Sequence, residues 1–432
     1  MHMLQRSAGG NMRRGIIVAI LLLLALQPAY LLSLMALNYA APAERRAAHI
    51  AAAFQEGDHI APPDASGDWT TECVALAIGL EPGASPLRNA VAAARPNGLV
   101  KAKTTCGSLH AAVALGGEDI YWLPYERYWH GYRVILDPLT ARLSVDRARY
   151  VILVALIAAL TFLASESGKL LGREASLALV VPIVAFTDMW RMFYIMEHAT
   201  ATIAILAGSG LFARALRKGA PLEALLPIAA VLGSVFNFLD FLTNPPWQPM
   251  MLAFLFLAAP AKPDEQRLVR CTAILAAWAA GYTLTWATKW GLAAALSADP
   301  LAKLRDIADV IRFRVDGSYE QMVDHRLLAP SATMIEMTVR QIEKMPWAAM
   351  LLMLLPTLGM RDGSLDIRRF GLLALPAALP FVWFEVLSNH TQIHATTTYR
   401  PLAASIGVVL ASWILAKPGR RDQFARVGSA RY

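Results

Sequence analysis

Apolar stretches close to bilayer length, separated by short junctions, constrain this chain more than any other feature. A helix needs about 20 residues to cross the hydrocarbon core, and a lone segment can cross only as a helix, because lipid offers no partner for free backbone groups. Ten stretches approach that length, at approximately 15–38, 149–165, 174–190, 197–213, 221–239, 247–261, 270–288, 346–360, 370–387 and 397–416. Composition agrees: 56% of residues are hydrophobic and 17% charged, against about 45–50% and about 25% in soluble domains. The expected fold is an all-α integral membrane protein of about ten transmembrane helices. The first stretch exceeds the usual signal-peptide core of about 7–15 residues and reads as an uncleaved anchor; cleavage near Ala40 is the alternative. The formal charge of +8 does not point to nucleic acid, because the basic residues are not massed on one soluble face.

Those basic residues fall at every second junction. Arg13 and Arg14 precede the first stretch, and Lys169 and Arg173 follow the second. Arg214, Arg217 and Lys218 follow the fourth; Lys262, Arg267 and Arg270 lie between the sixth and seventh. Arg361, Arg368 and Arg369 lie between the eighth and ninth, and Lys417, Arg420 and Arg421 follow the tenth. By the positive-inside rule both termini are expected in the cytoplasm. The chain then divides into a tail and first helix (1–38), a large outer loop (39–148), helices two to seven (149–288), a second outer loop (289–345), helices eight to ten (346–416) and a tail (417–432).

The first outer loop alternates turn-rich parts (APPDASGD, RPNG, LGGED) with apolar ones, as a small folded cap would. In the second, LAKLRDIADVIRFRV keeps helical spacing from Pro300 onward and suits a helix on the membrane surface. Cys73 and Cys106 share the first outer loop and would pair in an oxidising compartment, a closure worth roughly 3–4 kcal/mol. The alternative is two unrelated small buried residues.

The outward junctions also gather the chemistry. They read GDWTTEC (67–73), YERYWHGY (125–132), TDMWRMFYIMEH (187–198), NFLDFLTNPPW (237–247), WATKWG (286–291) and SNHTQIHATTTYR (388–400). Trp190, Trp247, Trp286 and Trp290 have an ordinary reading as belt residues. Ionisable groups at membrane depth are costly and default to function. Asp68 and Glu72 would share a helix face. Lys289, Arg400, His390 and His394, with Arg191 near them, suit a phosphate. No HExxH pattern accompanies the histidines, so no metal is expected. Carboxylates facing cations beside lipid suggest a lipid-linked phosphate and a hydroxyl acceptor. Asp188 and Arg191 have an alternative reading as a structural ion pair.

Four blocks, YWHGY (Tyr128–Tyr132), NFLDFLTNP (Asn237–Pro245), WATKW (Trp286–Trp290) and NHTQIHATTTYR (Asn389–Arg400), resemble a group of bacterial multi-pass glycosyltransferases of the GT-C type. GDWTTECVAL is similar to that group's LDNFTDALML in register, with Trp69 and Glu72 as the departures. The resemblance implies a GT-C-like bundle in the bacterial inner membrane with a periplasmic site, and arabinofuranosyltransferases are the members to compare first. It implies inverting, metal-independent transfer from a polyprenyl-phosphate sugar to a glycan or protein hydroxyl, without a cofactor. Asp68 or Glu72 would be the base. Lys289, His394 and Arg400 would stabilise the departing phosphate, with His390 and His130 orienting them. Asp240 and Tyr132 would bind sugar hydroxyls or fix the cations, and Tyr128, Asn389 and Tyr399 complete the substrate-binding set.

Three other classes compete. A transporter or flippase of an anionic or glycosylated lipid would also set cations beside carboxylates, but polarity gathers here on one side and no internal repeat is visible. An acyltransferase with His390 or His394 as base would draw its donor from the cytoplasm. A non-enzymatic scaffold would use the same aromatics as anchors.

Overall fold

The computed structural model describes residues 2–56, 68–98, 104–114, 120–260, 266–318, 323–346, 350 and 365–417. Among them, seven helices are long and apolar enough to cross a membrane: Met12–Ala40, Val145–Leu171, Met196–Arg217, Leu222–Leu239, Arg267–Ala295, Ile367–Val386 and Ala395–Leu415. By that measure the protein is a helical, multi-pass membrane protein. Two further expected stretches form short helices, Arg173–Phe186 with 14 residues and Trp247–Ala258 with 12. At 1.5 Å per residue these measure about 21 and 18 Å, less than the roughly 30 Å core. The second is buried from Trp247 to Leu255, so it is enclosed by protein and need not face lipid. The expected stretch at 346–360 falls mostly outside the described residues.

In chain order the elements are α1 (His2–Ala40), α2 (Ala43–Glu56), α3 (Asp68–Ala77), α4 (Pro86–Val91), β1 (Arg95–Gly98), α5 (Thr105–Ala114), β2 (Ile120–Leu123), α6 (Arg133–Thr140), α7 (Val145–Leu171), α8 (Arg173–Phe186), α9 (Met196–Arg217), α10 (Leu222–Leu239), α11 (Trp247–Ala258), α12 (Arg267–Ala295), α13 (Pro300–Asp316) and α14 (Ala329–Glu343). Next comes α15 (Ile367–Val386), which carries a 3₁₀ turn at Leu375–Ala378, followed by α16 (Ser388–Ile393), α17 (Ala395–Thr398) and α18 (Arg400–Leu415).

Helix α10 packs most extensively on α12 and α1, α7 on α9, and α8 on α18. The α10–α12 crossing depends on two glycines. A Cβ on Gly233 would stand 2.1 Å from the Trp278 carbonyl oxygen, and one on Gly281 would stand 2.0 Å from that of Ala230. Small residues of this kind let membrane helices approach backbone to backbone. Polar side chains fasten the same three helices. Tyr30 of α1 lies 3.1 Å from Ser234 of α10, and Ser234 lies 2.7 Å from Thr285 of α12. The indole of Trp129 donates to the Thr285 carbonyl at 2.7 Å, which anchors the YWHGY turn on the bundle.

Elements α2 to α6 and the antiparallel β1–β2 pair gather at one end of the bundle, where α4 meets α1 and α12 and α3 meets α9. Cys73 of α3 and Cys106 of α5 form a disulfide. Arg46 is buried; it donates to the carbonyls of Leu76 and Ile78 and pairs with Asp137 at 2.9 Å, and Asp137 also holds Arg133 at 2.9 Å. From the other long segment, α13 crosses the same end. Asp299 caps it by accepting from the Ala302 amide, yet none of its residues is buried.

Candidate active site at one end of the bundle

Glu72 lies on α3, which the disulfide ties to α5. Its side chain is fully buried; one oxygen lies 3.4 Å from Arg149 of α7 and the other accepts from the Met196 amide at 2.9 Å. That amide opens α9, so the carboxylate sits at the positive end of a 22-residue helix. Burial pushes the Glu72 carboxyl above its usual range, against the pull of Arg149 and the amide. Arg149 also pairs with Asp146 at 3.1 Å and lies over the Tyr194 ring.

The next residue along α9 is the more exceptional one. Glu197 is fully buried and its two oxygens make no side-chain hydrogen bond of ordinary geometry; its near neighbours are the His198 ring at 3.2 Å and the Phe241 amide. Glu72, Asp240 and Arg400 all stand within electrostatic reach of it. Arg400 is equally buried. It donates to the Thr187 carbonyl at 3.1 Å and to Nδ1 of His198 at 3.1 Å, leaving one terminal nitrogen without a partner. A guanidinium only donates, so His198 accepts at Nδ1 and carries its proton on Nε2, toward Glu197. Asp188, in the left-handed region at φ 55°, pairs with Arg191 at 3.3 Å, as the ion-pair reading expects, and also feels Arg400.

Asp240 ends α10 and starts a tight turn. It accepts from the Thr243 amide at 3.0 Å and from the Thr243 hydroxyl. Burial pushes its carboxyl up to about 7, against those hydrogen bonds. Leu242 takes a left-handed φ of 69°, and its carbonyl accepts from His390 Nε2 at 2.8 Å. His390 Nδ1 then accepts from Arg314, whose other terminal nitrogen donates to the Tyr128 hydroxyl at 2.8 Å. Burial first, then the Arg314 charge, hold the His390 ring well below its ordinary pKa. His130 follows the same logic, with Nε2 2.7 Å from the Tyr125 carbonyl and Nδ1 3.4 Å from the Tyr132 hydroxyl. Three buried histidines are thus fixed as neutral Nε2–H tautomers. Between Tyr128, Arg314 and the Trp286–Trp290 pair opens a cavity of about 260 Å³.

Most of the expected site residues meet here. Glu72, Asp240, Tyr128, His130, Tyr132, His390, His394 and Arg400 form one connected region, with His394 exposed and its ring 4.6 Å from that of His390. Asn389 is buried nearby and donates to the Gly317 carbonyl, while Tyr399 packs with Met334, Phe384 and Leu402. Lys289 stands apart from Arg400. Its buried ammonium donates to the carbonyls of Ala90 at 3.0 Å and Val91 at 2.7 Å and lies over Trp129, so its charge staples α4 to α12. Asp68 begins α3, and its side chain lies outside the described residues. Glu72, Glu197 and Asp240 are all sealed from solvent in this conformation.

Sequence reading missed Glu197, His198, Arg149 and Arg314. The first two lie inside the TDMWRMFYIMEH junction, where an i, i+1 acid–histidine pair with an aromatic run before it was the available signal. Arg149 and Arg314 look like ordinary charges at a helix start and on a surface helix. No family model, no curated protein and no solved structure matches the chain, so the likeness to polyprenyl-phosphate-dependent transferases rests on its motifs alone.

Proposed function

We propose that this protein is a membrane glycosyltransferase that moves a sugar from a polyprenyl-phosphate donor to a hydroxyl of a glycan or protein. In this reading it sits in the bacterial inner membrane with the site toward the periplasm and both termini in the cytoplasm. One observation carries the proposal: carboxylates from three separate segments, Glu72, Glu197 and Asp240, converge in one buried region with Arg400 and a neutral histidine. Clustering acids at such a cost to folding is characteristic of sites that move protons.

Glu197 takes the place of Glu72 as the candidate base, because Arg149 and the Met196 amide already occupy both oxygens of Glu72; the side chain of Asp68, the other acid expected, lies outside the described residues. The Glu197 carboxylate takes the proton of the acceptor hydroxyl as that oxygen bonds the anomeric carbon. The bond from that carbon to the phosphate oxygen breaks, and the electron pair leaves on the lipid phosphate. Cations already in place stabilise that charge without reorganising; the guanidinium groups of Arg400 and Arg314 are the ones on this side. The sealed acids require the layer over them, α13 and the 388–398 segment, to open for substrate.

The test is purified protein incubated with a panel of polyprenyl-phosphate sugars and an acceptor glycan, with released lipid phosphate read by mass spectrometry. Glu197→Gln should lower release by about 10²–10⁴-fold with the melting transition preserved. Release at the parental rate from Glu197→Gln would remove the base assignment. Lipid crossing a reconstituted vesicle with no sugar transferred would favour the carrier reading instead.

A further inference from the structure

The cavity beside the acid cluster has a pattern that the transfer chemistry does not use. One wall is α13, which presents Lys303, Ile307, Val310 and Arg314 to it. The spacing of these residues is that of a single helix face, so two cations bracket an apolar stripe about 16 Å long. The opposite wall holds Trp286 and Trp290, stacked at 4.8 Å, with Leu387 beside them.

The two ends differ in charge. Lys303 is neutralised by Glu126 at 2.5 Å and Asp306 at 3.2 Å. Among the described residues Arg314 has no carboxylate in ion-pairing distance; its partners are the Tyr128 hydroxyl and a histidine that is already neutral. A guanidinium cannot accept, so the Tyr128 oxygen receives the Arg314 hydrogen bond and its own proton stays available to donate. One end of an apolar slot therefore offers an uncompensated cation and a hydroxyl donor. That combination fits a chain with an anionic head.

We propose that this slot holds the prenyl chain of a prenyl phosphate, with the phosphate on Arg314 and Tyr128. The assignment rests on the transferase reading, because it places the donor's carrier beside Asp240 and names Arg314 as its phosphate ligand. Outside the slot, Leu301, Leu304 and Val315 of α13 remain exposed, so the chain's far end can continue into surrounding lipid.

The experiment is fluorescence quenching by farnesyl phosphate bearing a terminal bromine, titrated into the full-length protein. The chain has 11 tryptophans, so the signal is the part lost in the Trp286→Phe/Trp290→Phe double variant. Saturable quenching of that part is expected. Arg314→Gln should raise the half-saturating concentration on the order of ten-fold or more and erase the preference over brominated farnesol. Val310→Trp should fill the slot and abolish the signal, which decides the matter if Arg314→Gln does not fold. Equal quenching by the alcohol, or parental binding in Val310→Trp, would overturn the proposal. Tighter binding of brominated phosphatidic acid than of the prenyl phosphate would also overturn it, in favour of a phospholipid occupant. Quenching is independent of catalysis. Binding without transfer of any sugar would sink the transferase reading alone, and transfer undiminished in Val310→Trp would sink the slot alone.

Discussion

A single carboxyl, Asp240, illustrates what burial does at the residue scale. Its pKa moves from 3.8 to about 7 in the folded chain, so the folded state keeps a proton that the unfolded state releases. Raising pH through that window favours unfolding, at about 1.4 kcal/mol per pH unit. Over the full shift the loss is on the order of 4 kcal/mol. The midpoint of thermal unfolding in detergent should therefore fall as pH rises from about 4 to about 7. Asp240→Asn should flatten that slope, because the amide has no proton to release while its oxygen still accepts from Thr243. An unchanged slope in the variant would mean that other groups dominate. Glu72 shifts in the same direction, but its removal has a second effect. Glu72→Gln takes the charge away from buried Arg149, leaving it the partly exposed Asp146, and should destabilise by about 3 kcal/mol. Glu197→Gln strands no cation in this way. A larger loss of stability in Glu72→Gln than in Glu197→Gln, with the opposite order for activity, would separate the structural acid from the reacting one.

At the scale of elements, the two glycines at the α10–α12 crossing make a sharper prediction than any apolar contact. Gly281→Leu forces side-chain atoms into the Ala230 carbonyl and should cost at least the 1–3 kcal/mol typical of overpacking, read as a lowered melting midpoint. The same substitution at Gly291 of the same helix, where a Cβ meets nothing within 4 Å, is the control. Hydropathy made the long helices legible, because seven of the expected stretches are both apolar and long enough. It did not reveal that α8 and α11 are shorter than the bilayer core, or that α11 is enclosed by protein, since an apolar run reads the same whether it faces lipid or other helices. The disulfide was legible from two cysteines in one loop. The function of Lys289 as a staple was not, because its partners are main-chain carbonyls that leave no trace in side-chain identity. Arg314 was hidden for a related reason: its value comes from what α13 is laid against, which the helix's own amphipathic spacing does not encode.

Across the whole molecule the acid cluster is closed and the cover over it is lightly held. Helix α13 has no buried residue, and its polar ties run to α16, to the YWHGY turn and, through Lys303, to Glu126. Arg314 bonds His390 and Tyr128, and Asn389 bonds the Gly317 carbonyl. Just beyond α13, Gln392 exchanges hydrogen bonds with the Asp324 backbone at 2.9 Å in both directions. Elements with few apolar contacts open at low free energy. Gln392→Ala should speed amide exchange across Pro300–Asp316 while α9 and α10 keep their protection. Equal exchange in the variant and the parent would show that the cover is fixed by something else.

Because α13 draws so little hold from the protein beneath it, the solvent around it becomes part of its support. Leu301, Leu304 and Val315 have only acyl chains or detergent tails to rest in. The choice of solubilising agent then becomes an experimental variable with a direction. Short-chain detergents should leave α13 raised and the acids wet, whereas a nanodisc of full-length lipids should seat it, and amide exchange across Pro300–Asp316 should be faster in the detergent.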